Sequence, residues 1–162
     1  MYMYMHVGYV RCLKFEKKMG GSIKEMKEEI INNGVGSATA TKIRALVVDD
    51  NKVNQTIHHR LLQSLGIENQ VVVNGKEAVD VHSSGKYFDL ILMDMDMPVM
   101  NGIEATKKLR AMGIRSTIAG VSTHSQDKEK KEFMEAGLDD YQEKPLTTAK
   151  LVSILHKINH TG

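Results

Sequence analysis

Leu90-Ile91-Leu92-Met93-Asp94-Met95-Asp96-Met97-Pro98-Val99-Met100-Asn101-Gly102 is the stretch on which the fold turns. Its opening residues, Leu90 to Met93, are apolar without alternation, which suits a central parallel strand covered on both faces rather than a half-exposed antiparallel one. Asp94 then stands at the strand's carboxyl end. In an open α/β sheet the crevice beyond the carboxyl ends of the strands is where ligands bind. Pro98 has no backbone donor and Asn101 carries a side-chain acceptor, so the strand ends and a helix begins near Asn101. On this stretch alone Asp94 and Asp96 could equally serve to solvate a turn, because Asp is a common turn residue.

Working outward, the pattern alternates strand and helix from Ile43 onward. Ala45 to Val48 form an apolar run ending in Asp49-Asp50, followed by a helix whose Val53, Ile57, Leu61 and Leu65 recur at i+4 until Gly66 stops it. Val71 to Val73 predict a second strand, and Asn74-Gly75 turns the chain into a helix carrying Ala78 and Val79. After the central strand, Ala105, Leu109 and Met112 mark one helix face, with Gly113 as terminator. Thr117 to Val121 predict a fourth strand that ends at Ser122. Asp127 to Ala136 is mostly Lys and Glu, with Phe133 and Met134 as its main apolar contacts, so a weakly held helix is expected. Tyr141 to Glu143 read as a short polar edge strand. Leu151, Ile154, Leu155 and Ile158 mark a firm final helix starting after Thr147 or Thr148. Such repeated strand–helix units predict a doubly wound α/β domain with a five-stranded parallel sheet.

Composition bounds the rest. With 162 residues, 41% hydrophobic and 26% charged, the chain has room for one core and an appendage. Residues 1–42 hold seven Lys/Arg and four Asp/Glu, leaving fifteen and sixteen for residues 43–162, so the folded part is close to neutral. That balance, with no arginine-rich run and no stacking aromatics, argues against a nucleic-acid partner. No apolar run approaches a membrane span, and no membrane partner is expected. The single cysteine, Cys12, excludes an internal disulfide and points to a reducing, cytoplasmic setting, with the nucleus as an alternative. Residues 1–42 are expected to be a flexible extension: Gly34 to Thr41 have linker composition, and Ile23, Met26 and Ile30 fall at helical spacing in a segment too short to hold a helix by itself. Met19 is an alternative start of translation.

The chemistry-bearing residues gather at the strand ends: Asp49 and Asp50, Asp94, Ser122 and Lys144. Taken singly each has a bland reading, as helix cap, turn former or surface charge. On successive strand ends of one sheet they form a coherent set. Clustered carboxylates stay ionised only with a cation among them, and oxygen-only ligation suits Mg2+. A carboxylate can attack phosphorus to give an acyl phosphate while a cation, an ammonium and a hydroxyl stabilise the equatorial oxygens. Mg2+, Lys144 and Ser122 fill those roles.

The ordered set Val-Val-Asp-Asp-Asn, Leu-Ile-Leu-Met-Asp-Met-Asp-Met-Pro-Val-Met-Asn-Gly, Val-Ser-Thr and Asp-Asp-Tyr-Gln-Glu-Lys-Pro resembles the receiver domain of two-component response regulators, from Ile43 to the C-terminus. The resemblance implies the sheet order 2-1-3-4-5, Asp94 as phospho-acceptor, and Mg2+ held by Asp49, Asp50, Asp94 and the backbone carbonyl of Asp96. It further implies Ser122 as switch hydroxyl, Tyr141 as switch aromatic, Lys144 as the site lysine and a cis bond to Pro145. Asp-Asp-Asn followed by Asn54-Gln55 is similar to receivers of hybrid histidine kinases. A free-standing chain of this kind resembles the plant type-C response regulators, whose phosphoryl donor is a histidine-phosphotransfer protein; a histidine kinase is the other donor class. A monomer or weak dimer is expected. Two positions depart from the family pattern: Thr123 stands where a small Ala is usual, and Asn101 replaces the common Asp after Met100.

No effector domain is expected after the last helix, and the signal is expected to leave by protein contact or by hydrolysis. In the second case the protein would act as a phosphohistidine phosphatase-like sink, with Asp96 and His124 tuning a hydrolytic water. A haloacid-dehalogenase-type aspartyl phosphatase also carries Asp-x-Asp after a strand, but needs a later acidic pair, and no Asp or Glu follows Glu143. The chain has no glycine-rich phosphate loop, which argues against direct use of ATP. His58 and His59 read as a solvated helix face.

Overall fold

A computed structural model describes residues 42–123 and 126–158. The expected extension, its short helix and the Met19 start therefore lie outside the described residues, apart from Lys42, as does His124. The elements run β1 (Arg44–Val48), α1 (Lys52–Ser64), β2 (Glu68–Val72), α2 (Gly75–Ser83), β3 (Leu90–Asp94), α3 (Gly102–Ala111), β4 (Thr117–Ser122), α4 (Asp127–Glu135), β5 (Asp140–Glu143) and α5 (Thr148–Ile158). All neighbouring strands pair in parallel, in the order β2-β1-β3-β4-β5, as the repeating strand–helix pattern requires.

Alternate residues of the inner strands feed two cores. Ala45, Val47, Leu90, Leu92, Ala119 and Val121 pack with Leu62 and Leu65 from α1 and Leu151, Ile154 and Leu155 from α5. Leu46, Val48, Ile91, Met93 and Ile118 face the other way, onto Ala78, Ala105, Leu109 and Phe133 from α2, α3 and α4. Every residue of β3 is buried, which explains the lack of alternation in its sequence. Side-chain caps start several helices: Asn51 accepts from the N–H groups of Val53 and Asn54, Asn74 from that of Glu77, and Asn101 forms a capping box with Glu104.

The predicted stripe of α1 is corrected by the structure. Leu65 is buried and Leu61 half-buried, but Ile57 is 40% and Val53 66% exposed. A strict i+4 series rotates by about 40° per step around a helix of 3.6 residues per turn, so Val53 lies about 120° from Leu65. The face that packs on the sheet is Gln55, His58 and Leu62, whose mixed i+3 and i+4 spacing keeps direction. His58 is accordingly buried, at 3% exposure, contrary to the expected solvated face. His59 is half-buried, its Nδ1 2.7 Å from Asn69 Oδ1.

Three smaller differences have plain causes. β2 begins at Glu68 and ends at Val72, because ladder pairing with β1 from Arg44 onward recruits polar residues that an apolar-run reading passes over. Met134 is exposed and leaves Phe133 as the sole buried residue of α4; Met112 is also exposed, as the C-cap of α3. The bond from Lys144 to Pro145 is cis, as the resemblance implies.

Candidate functional site

The carboxyl edge of the sheet brings four of the predicted residues together. Asp49 directly follows β1, Asp94 ends β3, and Lys144 directly follows β5. Lys144 Nζ donates to Asp49 Oδ2 at 2.9 Å and to Asp94 Oδ1 at 2.8 Å, spanning β1 and β3 from the far edge of the sheet. Asp50 is exposed beside them, and one carboxylate oxygen from each of Asp49, Asp50 and Asp94 lies within 4.8 Å of the others.

Each acid is held by local structure. The second oxygen of Asp49, Oδ1, accepts from the Asn51 N–H at 2.9 Å and from Asn54 Nδ2 at 3.4 Å, while Gln55 Nε2 donates to the Asp49 carbonyl at 2.6 Å. The first turn of α1 thus fastens the end of β1. Asp94 is fastened from α3: the Gly102 N–H donates to the Met95 carbonyl at 2.9 Å, and a Cβ at residue 102 would overlap the Asp94 carbonyl. Only glycine lets α3 begin this close to the strand end. Between them, Val99 adopts φ 70° beneath a Met100 N–H to Pro98 carbonyl bond of 2.8 Å, and its side chain is 77% exposed.

Burial sets the electrostatics. It pushes the Asp94 carboxyl up to about 6, against the hydrogen bond and positive charge of Lys144, and the charges of Asp49 and Asp50 add to the rise. Burial also works against the Lys144 ammonium, but its hydrogen bonds to Asp94 and Asp49 outweigh that and hold it above the ordinary lysine value. Burial lowers His58 to about 4, so the imidazole is neutral at physiological pH; its Nδ1 has no hydrogen-bond partner among the described residues.

The other predicted residues are placed as follows. Ser122 is buried at the end of β4, one residue beyond Val121, the partner of Asp94 across the sheet. Thr123 is exposed, and so is Asp96. Tyr141 is already turned inward, 9% exposed, with its ring edge-on to Phe133 at 6.4 Å and Lys130 Nζ 5.2 Å from its centroid. Sequence reading missed Gln55 and His58 as neighbours of the site. The signal available was the spacing Asn51, Gln55, His58, Leu62, a helical face that a search for apolar residues does not register.

Three carboxylates and no nitrogen or sulfur ligand form a donor set for a hard divalent cation, and their oxygens lie close enough to share one. Beside it stands a buried carboxylate paired with a lysine, the components for placing negative charge on Asp94 and stabilising more.

Known proteins are similar to this chain in sequence and fold. The family model of the response regulator receiver domain matches residues 45–156. A two-component response regulator of Arabidopsis thaliana, number 24, is 71% identical over 119 residues, covering 74% of this chain and 86% of its own length. Among solved structures, the receiver domain of a Pseudomonas aeruginosa sensor histidine kinase, with a magnesium ion coordinated in its active-site cleft, superposes with TM-score 0.67 at 34% identity, covering 74% of this chain and 99% of that one. The co-crystal of the Saccharomyces cerevisiae histidine phosphotransfer protein Ypd1 with the receiver domain of its downstream response regulator Ssk1 matches with TM-score 0.67 at 28% identity, over 74% of this chain and 90% of that one. The family model spans most of the folded region with its 2-1-3-4-5 sheet, and the chain belongs to the response regulator receiver domain family of two-component phosphorelays.

Proposed function

We propose that this receiver accepts a phosphoryl group on Asp94 from the phosphohistidine of a histidine-phosphotransfer protein, or of a histidine kinase, with Mg2+ held by Asp49, Asp50, Asp94 and the backbone carbonyl of Asp96. The observation that carries the reading is Lys144 bridging the buried Asp49 and Asp94 while Asp50 stands exposed beside them. The magnesium-containing receiver of the sensor kinase supports the choice of ion. Mg2+ would neutralise the acid cluster and the oxygens of the incoming phosphoryl group.

The protein's own groups do the rest. A carboxylate oxygen of Asp94 attacks phosphorus in line as the bond from phosphorus to the donor imidazole nitrogen breaks; the imidazole keeps that electron pair and later takes a proton. Lys144 stays charged and offers donors to the new phosphoryl oxygens in place of the Asp94 oxygen it now holds. Ser122, on the neighbouring strand end, is the hydroxyl nearest in register to donate to a phosphoryl oxygen.

A protein donor is supported by the apolar groups outside the acids. Val53 and Ile57 point out from the amino-terminal half of α1, and Val99 projects from the β3–α3 loop; none belongs to either core. The yeast co-crystal shows a receiver relative with a phosphotransfer protein. The test is transfer of labelled phosphate from a histidine-phosphotransfer protein, with and without Mg2+. Wild type should gain acid-stable, base-labile label only with Mg2+, and Asp94→Asn should gain none. Label on the variant would place the acceptor elsewhere.

A further inference from the structure

Lys144 needs its main chain fixed, because a lysine side chain has four rotatable bonds and must reach two carboxylates from an edge strand. One side is secured by the sheet: the Lys144 N–H donates to the Ser122 carbonyl at 2.8 Å. Among the described residues β5 has β4 as its only neighbour, and carbonyls of alternate residues along an edge strand face away from the sheet. The carbonyls on either side of Lys144 meet a second cation. Lys150 Nζ donates to the Glu143 carbonyl at 2.6 Å and to the Pro145 carbonyl at 3.2 Å.

Lys150 sits in the first turn of α5, whose start is set by Thr147: the Thr147 carbonyl accepts from Leu151 N–H at 2.9 Å, and its hydroxyl oxygen accepts from Lys150 N–H at 3.3 Å. The first turn is the positive end of the helix dipole, where a cation is disfavoured and an acid would be expected. α5 has no acid there. The two carbonyl bonds offset that placement, and they tie α5, anchored in its core by Leu151, Val152, Ile154 and Leu155, to the residues flanking the site lysine.

We propose that Lys150 is a positioning residue for phosphoryl transfer, its ammonium strapping the Glu143 and Pro145 carbonyls so that Lys144 is held over Asp49 and Asp94. The proposal rests on the functional reading above. It predicts a separation between metal binding and chemistry. Lys150→Met, which keeps the aliphatic stem, should leave Mg2+ affinity within about twofold, since all three acids are untouched, yet slow labelling by acetyl phosphate at saturating Mg2+ by about tenfold. The Lys144 amide should exchange with solvent about tenfold faster in the variant, with the central β3 amides unchanged. Lys150→Arg should restore most of both effects, because a guanidinium can also serve two carbonyls.

The assays are an NMR-monitored Mg2+ titration, amide exchange and a labelling time course on the full chain, each variant first checked for cooperative unfolding. If Lys150→Met unfolds, Lys150→Arg and Lys150→Gln take its place, the glutamine being expected to behave like the methionine variant. Wild type that takes no label would overturn the functional reading, and the proposal with it. Wild type that labels beside a folded Lys150→Met labelling within about twofold of it would overturn the proposal alone, as would slowed labelling explained by an equal loss of Mg2+ affinity.

Discussion

His58 should make the stability of this domain fall in mildly acidic solution. Burial lowers its imidazole from 6.5 to about 4, with the charge of Asp49 opposing and that of Lys144 assisting the shift. The folded protein therefore refuses a proton that the unfolded chain accepts. Stability from this group is complete above the unfolded value of 6.5 and is lost as pH falls from there toward 4. At one pH unit per 1.4 kcal/mol the full loss is about 3 kcal/mol, of which about 2 kcal/mol has gone by about pH 5. His58→Leu removes the titration, and its Nδ1 has no hydrogen-bond partner among the described residues to be stranded. Urea unfolding followed by circular dichroism, at about pH 7 and about pH 5, gives the free energy of both proteins. Wild type should lose about 2 kcal/mol more than the variant between those conditions; the carboxylates contribute equally to both and cancel. Equal losses would refute the reasoning and mean that His58 gains a proton without cost, through a partner or an opening of α1.

Asp94→Asn should remove the buried charge with little change of shape, and thermal unfolding should show it at least as stable as wild type while it takes no label. Lys144→Met leaves Asp49 and Asp94 as facing buried carboxylates; urea unfolding without Mg2+ should show a loss of about 3 kcal/mol, partly recovered by millimolar Mg2+, whereas the wild type should respond less. Leu92→Ala, in the middle of β3, should cost about 3 kcal/mol in the same assay, and Leu61→Ala on the half-buried side of α1 less than half of that. Gly102→Ala should both destabilise by about 2 kcal/mol and weaken labelling, because the added methyl displaces the Asp94 carbonyl; stability lost without any effect on labelling would mean that α3 moves and the strand end does not.

Much of the architecture was legible because inner strands of a parallel sheet are buried on both sides and carry uninterrupted apolar runs. β1, β3 and β4 announce themselves in this way, and α5 does so through Leu151, Ile154 and Leu155. Asp49, Asp50, Asp94 and Lys144 could be grouped before any coordinates because strand ends in such a sheet converge on one edge. The face of α1 could not be read, because its inward side at the site end is built from Gln55 and His58. Gln55 bonds the Asp49 carbonyl just beyond β1, and His58, buried on the same face of α1, feels the Asp49 charge. Hydrophobic periodicity has no term for a polar side chain buried to hold a strand end. β2 was misplaced for a similar reason, since its first three residues belong to the sheet by backbone pairing alone.

Phe133 gives α4 a single peg. Its ring fills the space above Gly120, where a side chain would collide with it, and meets Tyr141 edge-on, while the other residues of the helix are exposed or half-buried. Substitutions elsewhere on α4, apart from Lys130 over the Tyr141 ring, therefore repaint the outside of the molecule without reaching the sheet. Two chains with the same acids, lysine and peg could diverge in which proteins recognise that helix while their phosphoryl chemistry stays the same.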